Sequence, residues 1–184
     1  TVFDNLTKMI AWTLPTNLGE GMIILAAIVL GIALPILPIQ ILWINMMSAV
    51  LLGLTLAMEP GEPDIMRRPP RNPSAPILTR DLIRRTILVG LLILVGAFGL
   101  YELELRLGAS AEVARTVAVN TVIVMEIFYL FNSRSLTQSV FRIGFASNRW
   151  IFVGSAAMLL AQMLFTYAPA MNRVFASAPI GLAD

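Results

Sequence analysis

Met9-Ile10-Ala11-Trp12-Thr13-Leu14-Pro15-Thr16-Asn17-Leu18-Gly19-Glu20-Gly21-Met22-Ile23-Ile24-Leu25 decides how this chain is read. Apolar residues continue to Leu34, so the segment reaches the roughly 20 residues that a membrane-spanning helix needs. A helix entering the membrane near Ile10 carries Glu20 about 15 Å deeper, at ~1.5 Å per residue, close to the bilayer centre. An ionised side chain at that depth costs on the order of 3 kcal/mol, so the carboxylate needs a compensating partner. Asn17, three residues earlier, offers an amide oxygen beside it. Pro15 removes a backbone donor and bends the helix, and Gly19 and Gly21 allow close backbone approach. Carboxylate, amide and freed carbonyls together form a ligand set for an ion. The competing reading is a buried Glu hydrogen-bonded to a neighbouring helix.

Composition supports the membrane reading. Of 184 residues, 58% are hydrophobic, and the mean hydropathy is +0.81. An ordinary soluble domain is excluded, leaving an all-α, polytopic transmembrane helical bundle. The chain has no cysteine and no histidine. Disulfides, thiolate or imidazole metal sites and serine–histidine catalysis are therefore absent, and no catalytic or cofactor-binding motif is found. The start at Thr1-Val2-Phe3-Asp4, without an initiator methionine, reads as a cut from something longer.

About five spans emerge, near 10–34, 36–58, 86–105, 113–131 and 150–167, within one membrane domain covering 1–184. Residues 1–8 read as an amphipathic lead-in. The first connection, around Pro35 and Pro38, is a tight hairpin. The second, 59–85, is proline-rich and predicted to lie extended along the membrane surface. The fourth, 132–149, is polar, and the tail after Tyr167 is too short for another span. Ten basic residues (Lys8, Arg67, Arg68, Arg71, Arg80, Arg84, Arg85, Arg134, Arg142 and Arg149) fall on one side, against Arg106, Arg115 and Arg173 on the other. The positive-inside rule makes the first side, with loops 59–85 and 132–149, cytoplasmic. The arginines are read as topological determinants alone. No aromatic interleaving suggests stacked bases, so no nucleic acid is expected.

Of eleven Asp and Glu residues, only Glu20 and Glu126 fall deep inside spans. Lipid would penalise each separately, so both are predicted to face one interior. Glu102 and Glu104 lie near a helix end, within reach of water. Asn45 and Ser48, three apart near mid-membrane, add neutral oxygens. Asn17, Glu20, Asn45, Ser48 and Glu126 make an oxygen-only constellation suited to hard cations. For Asn45 and Ser48 taken alone, interhelical hydrogen bonding, worth ~0.6 kcal/mol on average, is an equal reading. Tyr129 reads as a packing or interfacial aromatic, Gln162 as an interhelical hydrogen bond, and Gly96, Gly99 and Gly154 as close-packing points.

The run from Phe3-Asp4-Asn5 through Pro15-Thr16-Asn17-Leu18-Gly19-Glu20 resembles the fifth membrane helix of P-type (E1-E2) cation-transporting ATPases. Gln40-Ile41-Leu42-Trp43-Ile44-Asn45 resembles the start of their sixth helix. Glu59-Pro60 through Asp64-Ile65-Met66-Arg67-Arg68-Pro69-Pro70 resembles the loop after that helix. Glu126 with Asn132-Ser133-Arg134-Ser135 resembles the eighth helix and its exit. The resemblance covers nearly the whole chain, as helices five to nine of the carboxy-terminal transmembrane domain. It implies that Asn17, Glu20, Asn45, Ser48 and Glu126 are cation ligands. The family's sixth helix usually carries Thr-Asp-Gly-x-Pro; here Ser48-Ala49-Val50-Leu51-Leu52 stands instead. Ala49 replaces the bridging aspartate, and the helix-unwinding glycine and proline are gone. One cation per cycle, a monovalent ion or a proton is therefore expected in place of two calcium ions.

The resemblance implies the membrane part of an ATP-driven cation pump, in a bacterial plasma membrane. The cation could be calcium, sodium, potassium or a proton. The implied partners are membrane lipid and the amino-terminal part of the same pump: actuator, phosphorylation and nucleotide domains and helices one to four. ATP and magnesium would act in those domains, and this segment alone would not hydrolyse ATP. The alternatives are an independent multi-span channel or secondary cation transporter, or a scaffold whose polar groups only join helices.

Overall fold

A computed structural model describes residues 2–61, 78–135, 138 and 140–181. The proline-rich body of the second connection, 62–77, lies outside the described residues, and so does its expected extended course. Every regular element described is helical: α1 (Val2–Leu30), α2 (Pro38–Ser48), a π-helical turn (Ala49–Gly53), α3 (Leu54–Ala57), α4 (Arg80–Arg106), α5 (Ala111–Asn132), α6 (Val140–Ile143), α7 (Arg149–Tyr167) and α8 (Pro169–Phe175). Five stretches are long and apolar enough to cross a membrane: Val2–Leu30, Pro38–Ala57, Arg80–Arg106, Ala111–Asn132 and Arg149–Tyr167. The protein is an integral membrane helical bundle.

Local chemistry sets the ends. Thr79 accepts from the Leu82 amide ahead of α4, Ser110 from the Val113 amide ahead of α5, and the Asn148 amide oxygen from the Trp150 amide ahead of α7. Asp81 and Glu112 place negative charge in the first turns of α4 and α5. Before α2, the Gln40 side chain accepts from the Leu37 amide at 2.9 Å, and Pro38 occupies the first turn. Gly31 (φ 65°) and Gly108 (φ 90°) close α1 and α4 in the left-handed conformation. The residues read as a lead-in are the first two turns of α1, with Asn5 and Lys8 buried.

α1 packs along α4, and α4 along α5. The α1–α4 seam interlocks: a Cβ on Gly19 would lie 2.7 Å from Ile93, and one on Gly90 would lie 3.2 Å from Leu18. Gly21, read with Gly19 as a close-approach point, has open space around it, as does Gly99. The core contains Trp12, Ile23, Ile44, Leu52, Ile123, Met158 and Phe165. Leu88, Val95, Leu160 and Met163 point outward, as hydrocarbon-facing side chains of a membrane bundle do. The carboxy-terminal α8 folds back on α2: Trp43 stacks on Phe165 and meets Phe175, and the Gln40 amide donates to the Phe175 carbonyl at 2.9 Å. Trp43 also donates to Gln162 at 3.3 Å, the interhelical bond read from the sequence.

The second span is not one continuous α-helix. Although neither glycine nor proline stands at positions 50 and 52, the chain widens into a π-helical turn over Ala49–Gly53. Its surroundings fit that width. Thr55 donates to the Leu52 carbonyl at 2.6 Å, and Asn148 to the Thr55 carbonyl at 3.0 Å. Gly154 of α7 lies directly against the Leu51 carbonyl oxygen; a Cβ there would sit 2.1 Å from it. Gly154→Ala should cost about 1–3 kcal/mol through overpacking, read as a lowered thermal unfolding midpoint of the full-length protein in detergent. Gly99→Ala, at an open position, should leave the midpoint within error. Equal midpoints for both variants would refute the close α7 contact.

Candidate cation site

Glu20 and Glu126 are 2% and 0% exposed, and they meet between α1, α2 and α5. Asn45 Nδ2 donates to Glu20 Oε2 at 2.7 Å and to its own helix at the Ile41 carbonyl, 3.1 Å. The Ser48 hydroxyl, on the last residue before the wide turn, lies beside the Glu126 carboxylate, as does Glu20. Glu20 Oε1 and both carboxylate oxygens of Glu126 have no hydrogen-bond partner. A buried acceptor without a donor is unfavourable by about 1–3 kcal/mol, and more when charged. Two carboxylates sharing an apolar interior therefore call for a compensating positive charge, and their unpartnered oxygens are where it would be held. Among the described residues no third carboxylate joins them. The remaining donors to a cation would be the neutral oxygens of Asn45 and Ser48.

Asn17 does not join this group. It is exposed, while Thr16, Gly19 and Glu20 are buried. Three residues along an α-helix turn through ~300°, so Asn17 stands about 60° off the Glu20 direction, and Thr16 takes the inward place. Four of the five sequence-derived residues are thus brought together.

The carbonyl freed by Pro15 also has another use. Pro15 sits inside the unbroken α1 and leaves the Ala11 carbonyl without its helical donor. The Tyr129 hydroxyl of α5 donates to that carbonyl at 2.9 Å. Reciprocally, Trp12 Nε1 donates to the Glu126 carbonyl at 3.1 Å. These two bonds tie α1 to α5 beside the carboxylates. Tyr129 is therefore a structural donor, with the Arg85 guanidinium 5.2 Å from its ring centre. Proline at position 15 with a tyrosine donor on another span is a signal the sequence carries, but only helix pairing reveals it.

At the end of the bundle where loop 132–149 begins lies a second polar cluster, one the sequence reading does not anticipate. Arg134, read as a topological charge, is 0% exposed and pairs with Glu59 at 2.9 Å. It also donates to the Gly144 and Phe145 carbonyls at 3.2 and 2.8 Å, and to the Ser147 hydroxyl. Asn148 donates to Glu59 Oε2 at 2.7 Å, and Asn5 donates to the Glu59 carbonyl at 2.8 Å. Glu59 thus joins the end of the second span to α1, to the exit of α5 and to the start of α7. Glu104, expected near water, is buried as well.

A five-span bundle with paired interior carboxylates, an amide and a hydroxyl defines a polytopic membrane protein with a polar cluster inside its span. Residues 33–184 match the family described as cation transporting ATPase, C-terminus, and the chain belongs to this family of P-type ATPase carboxy-terminal domains. It is 59% identical over 181 residues to the probable cation-transporting ATPase F of Mycobacterium tuberculosis, covering 98% of this chain and 20% of that protein. Identity is 35% to the cation-transporting ATPase pma1 of Synechocystis, over 98% of this chain and 21% of the relative. It is 30% to calcium-transporting ATPase 1 of Yarrowia lipolytica, over 100% of this chain and 20% of that one. The chain spans about a fifth of the length of these curated relatives.

Removing one partner of a buried ion pair leaves an uncompensated charge, so Arg134→Met should destabilise by about 3–5 kcal/mol. Replacing both partners, in Arg134→Met with Glu59→Leu, should recover part of that loss. Thermal unfolding of the full-length protein in detergent reads both. An Arg134→Met midpoint equal to wild type would show that the pair holds nothing together.

Proposed function

We propose that this chain is the membrane portion of an ATP-driven cation pump of a bacterial plasma membrane, and that Glu20, Asn45, Ser48 and Glu126 hold the transported ion. The observation that carries this reading is the buried cluster in which Glu20 is bonded to Asn45 while the facing oxygens of Glu126 lack any donor. Membership of the cation-transporting family supports it, as do relatives named for cation and calcium transport. The arginine-bearing end, with Glu59 and Arg134, faces the cytoplasm. ATP and magnesium act in the rest of the pump, with its phosphorylation, nucleotide and actuator domains, and this segment passes helix movement between those domains and the ion.

Charge count sets the stoichiometry. Two carboxylates neutralise one divalent cation, and Ala49 supplies no third. Removing a carboxylate from an oxygen cage weakens divalent binding most. The pump accordingly moves one cation per cycle at this site, or a monovalent ion or proton, rather than two calcium ions.

In the full-length pump, Glu20→Gln and Glu126→Gln should each abolish ion-dependent phosphoenzyme formation, measured by incorporation of labelled phosphate from ATP. Ala49→Asp should raise apparent divalent affinity. Two calcium ions bound per wild-type pump, both retained in Glu20→Gln, would refute the assignment. Unchanged ion dependence in Glu126→Gln would remove α5 from the site.

A further inference from the structure

Proline at position 15 deprives the Ala11 carbonyl of the amide that an α-helix would supply. Ala11 is 0% exposed, so no water takes the place of that donor. The Tyr129 hydroxyl supplies it from another span, at 2.9 Å, on a side chain that is itself 6% exposed. One hydrogen bond is thereby exchanged for another, and the exchange by itself adds little stability. What it changes is connectivity. A bond that would close one turn of α1 instead joins α1 to α5.

The two carboxylates stand on the helices so joined. α1 packs chiefly along α4, and α4 along α5, while α1 and α5 meet directly in few places. The apolar seams hold the helices together without direction, whereas a hydrogen bond fixes distance and angle. Two such bonds run directly between α1 and α5: Tyr129 to the Ala11 carbonyl, and Trp12 Nε1 to the Glu126 carbonyl at 3.1 Å. Tyr129 follows Glu126 by three residues, less than one turn, and both belong to the buried face of α5. We infer that Tyr129 is a positioning residue of the cation site proposed above, its hydroxyl setting the separation of the Glu20 and Glu126 carboxylates through the Ala11 carbonyl. A hard cation takes its oxygens within a narrow range, about 2.3–2.6 Å for calcium, so a small shift of α5 against α1 is read as affinity.

The test uses the full-length pump in detergent, titrated with calcium or sodium, whichever supports phosphorylation of wild type. Its readouts are the thermal unfolding midpoint without added cation and the cation concentration at half-maximal phosphoenzyme. Phenylalanine at position 129 keeps the ring that the Arg85 guanidinium approaches at 5.2 Å, so Tyr129→Phe removes the hydroxyl alone. It should lower the midpoint by leaving the Ala11 carbonyl without a donor. It should also weaken apparent cation affinity about ten-fold, as loss of a group that orients a metal ligand does. Adding Pro15→Ala gives the Ala11 carbonyl an amide from its own helix. The double variant should therefore recover the midpoint while its affinity stays low, and it carries the test if Tyr129→Phe alone fails to fold. Pro15→Ala alone leaves the second lone pair of that carbonyl to Tyr129 and should bind as wild type does. Recovery of both midpoint and affinity in the double variant would overturn the inference, leaving Tyr129 to satisfy one acceptor and no more. Wild-type affinity in Tyr129→Phe would overturn it too. Cation dependence that survives in Glu126→Gln would instead overturn the site on which the inference rests, a result distinct from either outcome at Tyr129.

Discussion

A carboxylate held away from water has to be solvated by the protein itself, and the bundle is arranged around two of them. Glu20 and Glu126 come from helices distant in sequence, and neither is tolerable alone in a hydrocarbon interior. The bonds nearby bring them together and hold them there. Trp12 donates to the Glu126 carbonyl and Tyr129 to the Ala11 carbonyl, so α1 and α5 are fastened in both directions. Asn45 enters from α2 to engage one oxygen of Glu20. The oxygens that stay unpartnered face this shared interior, and they give the cluster its chemistry.

The opposite solution appears at the loop end of the bundle. There a carboxylate and a guanidinium are buried together with nearly every donor and acceptor engaged. A fully satisfied pair of this kind rigidifies its surroundings. The same residue type thus does different work at two depths. Glu59 sets the mutual position of three connections, and Glu126 keeps both carboxylate oxygens unpartnered.

Much of this is legible in the sequence because the membrane permits few solutions. Long apolar runs must be helices, and deep carboxylates must turn inward, so the five spans and the meeting of Glu20 with Glu126, Asn45 and Ser48 follow from spacing and cost. Asn17 departs from that expectation because a three-residue spacing is about 60° short of a full turn, and that difference decides between core and surface. Arg134 has the look of a surface charge in sequence, since its partner, Glu59, lies 75 residues away. No local pattern announces such a pair. Tyr129 reads as an aromatic filler because the acceptor it satisfies exists only where Pro15 has removed a donor on another helix.

The wide turn at Ala49–Gly53 changes which faces the rest of the second span presents. A π-turn holds one more residue than an α-turn, so the residues beyond it are rotated by about 100° relative to an uninterrupted helix. Thr55, Leu56 and Glu59 therefore occupy faces that a continuous α-helical wheel drawn from Asn45 and Ser48 would assign to their neighbours. Between two chains of which only one carries such a turn, residues at equal spacing beyond it face different neighbours. Function-altering positions beyond Ala49 are better matched by the neighbour they touch, such as Gly154 against the Leu51 carbonyl, than by counting residues.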